Sequence, residues 1–418
     1  MQPILPAPSL GDLFGVFGRI GLLSFGGPAA QISLMHRELV EKRQWLDEEQ
    51  FLGALSFCMM LPGPEAMQLA TYAGWRLRGT PGGLIAGLLF VLPGAAVIAL
   101  LGAVYIGFGD LPGVRAGFLG VQAAIVAVVI QALLRLSRRV LRNRRAALVA
   151  LGAFAGLFSG LLPFPVVVIA AGCLGFALGR DPATKRDAGP LPGWRRTLPV
   201  VLGWAALWAA PLVLLALLDA GFLLTLGLFF SKLAIVGFGG AYAVLAYMVQ
   251  AVVTEHQWLT THQMMDALGL AETTPGPLIL VTQFVGQIAG HGAGGAGMAA
   301  LAGLITLWCT FVPCFLWIFT GAPYVEAVLR HPRLTGALAL ISAAIVGVIA
   351  SLGLWFALHV LFGETRSGPW GTLPVFDSFE PAQAALVLLG AALLFLLRLP
   401  LVATLAATAL SAILWAAF

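Results

Sequence analysis

Two glycine- and proline-containing motifs each occur twice in this chain, at one constant spacing. Phe25-Gly26-Gly27 recurs 213 residues on as Phe238-Gly239-Gly240, and Pro62-Gly63-Pro64 recurs at the same offset as Pro275-Gly276-Pro277. All four lie inside hydrophobic stretches. Glycine and proline interrupt helices, and in lipid an interrupted backbone survives only where protein or a water-filled cavity covers it. Paired breaks present in two copies mark a carrier built from repeats, with its site where the repeats meet.

The composition demands a membrane. The chain is 60% hydrophobic and 10% charged, with a mean hydropathy of +0.96, whereas a soluble globule carries about 25% charged residues. The fold class expected is an all-α polytopic membrane protein made of two inverted-topology repeats with broken or re-entrant helices. Residues 84–108 and 202–218 supply apolar runs of the roughly 20 residues needed to span. Residues 1–10 lack the basic start and small-residue cleavage site of a signal peptide. Cys58, Cys173, Cys309 and Cys314 sit in apolar stretches without metal-ligand spacing and read as reduced, buried thiols. The formal charge of +5 comes mostly from clustered loop arginines, which speak of membrane orientation rather than nucleic acid.

The repeat extends beyond the motifs. An offset of 213 also aligns Gln44-Trp45-Leu46 with Gln257-Trp258-Leu259, Gln50 with Gln263, and Arg19 with Lys232. A seven-residue insertion falls around 291–297, after which an offset of 220 aligns Pro93 with Pro313, Pro112 with Pro332, and Ala123-Ala124-Ile125-Val126 with Ala343-Ala344-Ile345-Val346. Three parts follow: an N-terminal repeat in 1–180, a basic linker with one connecting span in 181–223, and a C-terminal repeat in 224–418.

Loop charge sets the orientation. The arginines of 135–145 and the basic residues of 180–196 are expected on the cytoplasmic side. If 11–36 and 50–75 each crossed fully, Arg37, Lys42 and Arg43 would lie outside and the uncharged loop 254–262 inside. Re-entrant hairpins turning at Gly-Gly and Pro-Gly-Pro remove both violations. Their arms of about 12 residues reach about 18 Å, the midplane of a core about 30 Å thick. Asp47/Gln50 and Thr260/Gln263 read as capping boxes. Trp45 and Trp258 read as interfacial anchors. Gly83/Gly87, Gly113/Gly117 and Gly152/Gly156 read as close-packing pairs.

The stretches Ser24-Phe25-Gly26-Gly27-Pro28, Met60-Leu61-Pro62-Gly63-Pro64-Glu65 and Ala271-Glu272-Thr273-Thr274-Pro275-Gly276-Pro277 resemble the signatures of the chromate ion transporter family in its long, two-domain form. The resemblance covers essentially the whole chain. It implies an inner-membrane transporter of chromate, commonly an exporter conferring resistance, with proton-linked antiport proposed and sulfate as a related anion.

Physically, a tetrahedral dianion needs positive charge and several N–H donors, and a helix N-terminus offers both. The expected substrate-binding set is Arg19, Phe25, Gly26, Gly27, Gly63, Pro64, Lys232, Phe238, Gly239, Gly240, Thr273, Thr274, Gly276, Pro277 and Gln283. Arg19 and Lys232 are the paired cations at equivalent repeat positions, costly at membrane depth unless used. Glu65 and Glu272 do not align across the repeat and are the candidates for proton coupling. Gln68, Tyr72, Thr282 and Gln287 either line a pathway or satisfy backbone freed by the breaks. His36, His256, His262 and His291 read as interfacial. The expected partners are a chromate or sulfate oxyanion, membrane lipid and protons, with a homodimer left open. No nucleic acid, cofactor or metal is expected. Uptake or exchange of sulfate or another oxyanion, and an anion channel, stay open as alternatives. An enzyme is disfavoured: the chain shows no Ser-His-Asp set, metal cluster or phosphate-binding loop.

Overall fold

The computed structural model describes residues 8–179, 194–238, 241–325, 332–368 and 371–417. These residues are almost wholly helical: α1 (Leu10–Leu23), α2 (Gly27–His36), α3 (Glu48–Cys58), α4 (Glu65–Phe108), α5 (Pro112–Val140), α6 (Arg144–Phe158), α7 (Phe164–Leu178), α8 (Trp194–Leu217), α9 (Gly221–Val236), α10 (Ala241–Val249), α11 (Thr261–Thr273), α12 (Val281–Gly321), α13 (Pro332–Leu361), α14 (Pro381–Ala391) and α15 (Leu401–Ala417). One antiparallel hairpin, β1 (Thr365–Gly368) with β2 (Gly371–Pro374), pairs Thr365 opposite Pro374. Five stretches are long and apolar enough to cross a membrane: Glu65–Phe108, Pro112–Val140, Thr197–Leu217, Leu278–Tyr324 and Arg333–Leu361. Large apolar side chains such as Leu100, Leu148, Leu304 and Leu388 stand exposed, as lipid-facing surfaces require. The chain is a multi-pass membrane protein.

Both halves break where the motifs lie. α1 gives way to α2 at 24–26, α3 to α4 at 59–64, and α11 to a single 3-10 turn at 274–277, while α9 stops at Val236 ahead of Gly237 and Phe238. Both capping boxes form. Asp47 Oδ1 accepts from the Gln50 amide at 2.7 Å while Gln50 Oε1 accepts from the Asp47 amide. Thr260 and Gln263 repeat this reciprocal pair.

The symmetry reaches the backbone of the connections. Each widens into a π-turn, Arg37–Lys42 and Gln250–Glu255, and each then places a glutamine in left-handed backbone, Gln44 at φ 52° and Gln257 at φ 53°. Their side chains differ. In the first, buried Glu38 accepts from Lys42 Nζ at 2.8 Å and from Arg43. The hydrogen bond from Lys42, helped by Arg43, holds the Glu38 carboxyl below its usual range. His36 lies 2.7 Å from Glu48 and 3.2 Å from Glu41, and its bond to Glu48 raises its imidazole above the ordinary value. In the second connection, Ala251 stands where Glu38 does, and His256 stacks on Trp258 with centroids 4.2 Å apart.

α4 and α12 are not straight rods. α4 turns at Gly79 (φ 63°, ψ −156°) and α12 at Gly295 (φ 74°, ψ −162°), so the insertion read near 291–297 is absorbed at equivalent kinks. In α4 the two arms run antiparallel. A Cβ on Gly74 would lie 2.2 Å from the Gly82 carbonyl oxygen, and one on Gly87 would lie 2.4 Å from Thr71 Oγ1. In α12 the same relation joins Gly290 to Met298 and Gly286 to Ala302.

Chain contacts divide the molecule into two compact units, each drawing on both sequence repeats. The first comprises Met1–Gly102, Asp181–Ala241 and Thr274–Pro332. There α8 and α9 pack against α12. The second comprises Ala103–Arg180, Tyr242–Thr273 and Arg333–Phe418. There α5 packs against α11, α14 and α15, and α6 and α7 share with α13 a core of Ala153, Val167, Ala171 and Ala344.

Two local expectations are corrected. Of the small-residue pairs, Gly83/Gly87 meets neighbouring side chains closely, but Gly113 and Gly152 face open space; the tight crossing of α5 is instead at Gly120, where a Cβ would lie 2.2 Å from the Thr408 carbonyl oxygen. Of the four free cysteines, Cys173 is exposed, because it falls on the outer face of α7.

Candidate functional site

The first unit gathers the helix breaks, and their geometry starts one residue ahead of the Phe-Gly-Gly motifs. α1 ends in an inverse γ-turn: Ser24 sits at φ −79°, ψ 66°, and the Phe25 amide donates to the Leu23 carbonyl at 3.0 Å. α9 ends alike, with Gly237 at φ −76°, ψ 56° and Phe238 donating to Val236 at 2.9 Å. This conformation ends a helix within one residue. It also turns one carbonyl aside, and buried backbone must be paired. The Ser24 carbonyl accepts from the Gly276 amide, and the Gly237 carbonyl accepts from the Gly63 amide, each at 2.9 Å. Ser24 is the repeat equivalent of Gly237, and Gly63 of Gly276. Each diglycine break is therefore tied to the Pro-Gly-Pro break of the other repeat.

Gly63 (φ 113°) and Gly276 (φ 90°) occupy backbone that an L side chain resists. A Cβ on Gly63 would also lie 2.9 Å from Cys314 Sγ, and one on Gly276 would lie 3.3 Å from the Phe90 carbonyl oxygen and 3.6 Å from Gly94 Cα. Gly94 and Cys314 are themselves equivalent at the offset of 220, so the long helix of each repeat backs the other repeat's break.

Buried glutamines finish the pairing. Gln31 Nε2 donates to the Gly276 carbonyl at 2.7 Å and to that of Ser24 at 3.3 Å. Gln68 donates to Pro62 at 2.7 Å. Gln283 and Gln287 donate to Ala95 and Ala99, one turn apart on α4, at 3.0 and 3.3 Å. In all four the amide oxygen is buried without a protein donor. These four buried oxygens remain able to accept hydrogen bonds from a ligand's own hydrogens or from water.

The expected binding residues occupy this region unevenly. Gly26, at φ 86°, caps α2, and Pro28 lies in its first turn. Phe25 is 41% exposed. Gly63 and Phe238 are half-buried, while Pro64, Thr274, Gly276, Pro277 and Gln283 are buried. Glu65 opens α4. Arg19 on α1 and Lys232 on α9 are both exposed. Gly239 and Gly240 lie outside the described residues.

Thr273 and Glu272 belong to the second unit. Thr273 Oγ1 donates back to the Leu270 carbonyl. Glu272, 4% exposed, accepts from the Tyr242 hydroxyl at 2.7 Å. Sequence reasoning passed over Asp266, equally buried on the same helix. Its partners stand far along the chain and no motif points to it. It also passed over Gln31, which has no repeat counterpart.

A family profile described as chromate transporter matches residues 11–176 and 224–414. The chain belongs to the chromate transporter family. The chromate transport protein of Cupriavidus metallidurans is 30% identical over 408 residues, 95% of either chain. That of Pseudomonas aeruginosa is 32% identical over 355 residues, 84% of this chain and 82% of the relative. The transporter YwrB of Bacillus subtilis is 34% identical over 120 residues, covering 28% of this chain and 60% of its own. No solved structure matches. The family's match leaves out residues 177–223, which carry α8.

Proposed function

We propose that this protein carries chromate outward across the inner membrane and so confers chromate resistance. Membership of the family, and the names of its relatives, support the substrate. The observation that carries the reading is the reciprocal tie between breaks, Gly63 to Gly237 and Gly276 to Ser24. The operation exchanging the two bonds also exchanges the repeats, as a two-fold axis does. With that axis in the membrane plane the repeats are inverted, the construction in which carriers place a site between broken helices.

In this reading the starts of α2 and α4 aim amide donors and positive dipole ends at the oxyanion. Gly26, Gly27 and Gly63 let the backbone approach it, and Arg19 and Lys232 balance its charge. An inside-negative potential drives a dianion outward by about 4.6 kcal/mol per 100 mV. Glu272 and Glu65 are the candidates to carry a proton in exchange. Sulfate has the same shape and charge and is the competing substrate.

Purified protein in vesicles tests this, with chromate and sulfate supplied separately and voltage and pH gradients imposed independently. Saturable chromate flux that follows the voltage is expected. Arg19→Gln and Lys232→Gln should each lower it about tenfold, equivalent to about 1.4 kcal/mol. Flux of sulfate alone, or flux that does not saturate, would overturn the reading.

A further inference from the structure

In the second unit, Asp266 on α11 is 6% exposed. Its Oδ2 accepts from the Tyr105 hydroxyl at 2.7 Å, and its Oδ1 accepts from Gln122 Nε2 at 2.6 Å. Gln122 is itself buried on α5. Three residues on, Gly269 presses α11 against the same helix, where a Cβ would lie 2.2 Å from Val121 Cγ1. Asp266 is thus held in a helix contact, with both oxygens engaged by neutral donors.

A carboxylate taken out of water is retained at a cost that a salt bridge or a proton must offset. None of the ion pairs among the described residues includes Asp266. The charged and titratable groups whose field reaches it are Arg115, at the start of α5, and His262, on its own helix; Asp110 acts on Tyr105. α15, which also packs on α11, carries no titratable side chain.

The fold of the repeat does not need this trio. The equivalent positions in the other half are Gly53 for Asp266, Val325 for Tyr105 and Ser342 for Gln122. A carboxyl, a phenol and an amide have been placed together on one side of an otherwise repeated structure. The neutral donors suit both protonation states: each gives a hydrogen bond to the carboxylate, and the Gln122 amide and Tyr105 hydroxyl oxygens can each accept from the acid. α11 runs on from Asp266 for seven residues, about 10 Å at helical rise, and ends at Thr273.

We propose that Asp266 is a proton-binding site of this protein, with Tyr105 and Gln122 as its positioning residues, and that its proton is exchanged during the transport cycle. The second clause rests on the chromate reading; the first does not.

Infrared difference spectra of the purified protein, recorded as pH is stepped, test the first clause without any substrate. Wild type should show a titrating carboxylic-acid carbonyl band that Asp266→Asn removes. Tyr105→Phe should keep that band and move its midpoint by about half a pH unit or more, through loss of one hydrogen bond to the carboxylate. If Asp266→Asn does not fold, the Tyr105→Phe shift alone decides. An unchanged band in Asp266→Asn, or an unmoved midpoint in Tyr105→Phe, overturns the proposal.

The second clause is tested in vesicles holding a trapped pH dye. Chromate addition should start proton movement, in either direction, that Asp266→Asn abolishes and Asp266→Glu partly restores. Proton movement surviving in Asp266→Asn overturns that clause. Wild-type vesicles that pass no chromate would defeat the transport reading and the clause built on it, while leaving the infrared result standing.

Discussion

The two halves share a backbone and differ in their charges. The connections 37–47 and 250–260 have the same π-turn and the same left-handed glutamine, and the breaks they flank are bonded reciprocally. Yet the first connection holds a buried glutamate between two cations where the second has Ala251. Conversely, α11 buries Asp266 and Glu272 where α3 and the residue after it carry Gly53 and Met59. Backbone geometry is what duplication must preserve, because each repeat's breaks are completed by the other's. Side-chain charge is free to diverge, so asymmetry marks where a transporter treats its two sides differently.

The hardest test of the shared part is at the paired glycines. Gly63→Val and Gly276→Val should each abolish flux and lower unfolding stability in detergent by about 2–5 kcal/mol, combining left-handed strain with overpacking. Tolerance of either one would show that the two bonds are not equivalent.

The ionic part should respond next. Glu38→Ala should cost about 1–3 kcal/mol of stability, since two cations lose a buried acceptor, while Ala251→Gly at the matching position removes no charge pair. The pH dependence has a definite sign. Glu38, lowered by Lys42 and Arg43, contributes stability that is present above its unfolded pKa and lost as pH falls through its folded one. His36, raised by Glu48 and Glu41, contributes stability that is present below its unfolded pKa and lost as pH rises through its folded one. Melting curves across pH should show the deficit of Glu38→Ala shrinking toward acid and that of His36→Gln shrinking toward alkali.

The smallest effect belongs to the caps. Asp47→Ala and Thr260→Ala should each cost about 1 kcal/mol, and similar losses in the same unfolding assay would confirm that the boxes are interchangeable in role. A marked difference would place their helices in unlike surroundings.

Much of the architecture was legible beforehand because it depends on residues whose backbone chemistry is local. Proline lacks its N–H, glycine lacks its Cβ, and an Asp or Thr three residues before Gln offers a helix start a reciprocal cap from its own segment. The break positions, the capping boxes and the repeat register all followed. The inverse γ-turn at Ser24 and Gly237, two residues ahead of each diglycine, was missed because neither residue type announces it. Gln31 and Asp266 were missed because what makes them matter is across the fold: Gln31 reaches a carbonyl 245 residues away, and Asp266 meets donors 144 and 161 residues away.

The amino-acid order alone thus decided that this chain lives in a membrane, that it is built twice, and where its helices must stop. Those properties reside in hydropathy, in glycine and in proline, and need no neighbour to be expressed. Only the tertiary structure decided which break completes which and which buried carboxylates find donors. A freed carbonyl or a buried charge is satisfied by whatever the packing brings within 3 Å, and no spacing along the chain encodes that distance.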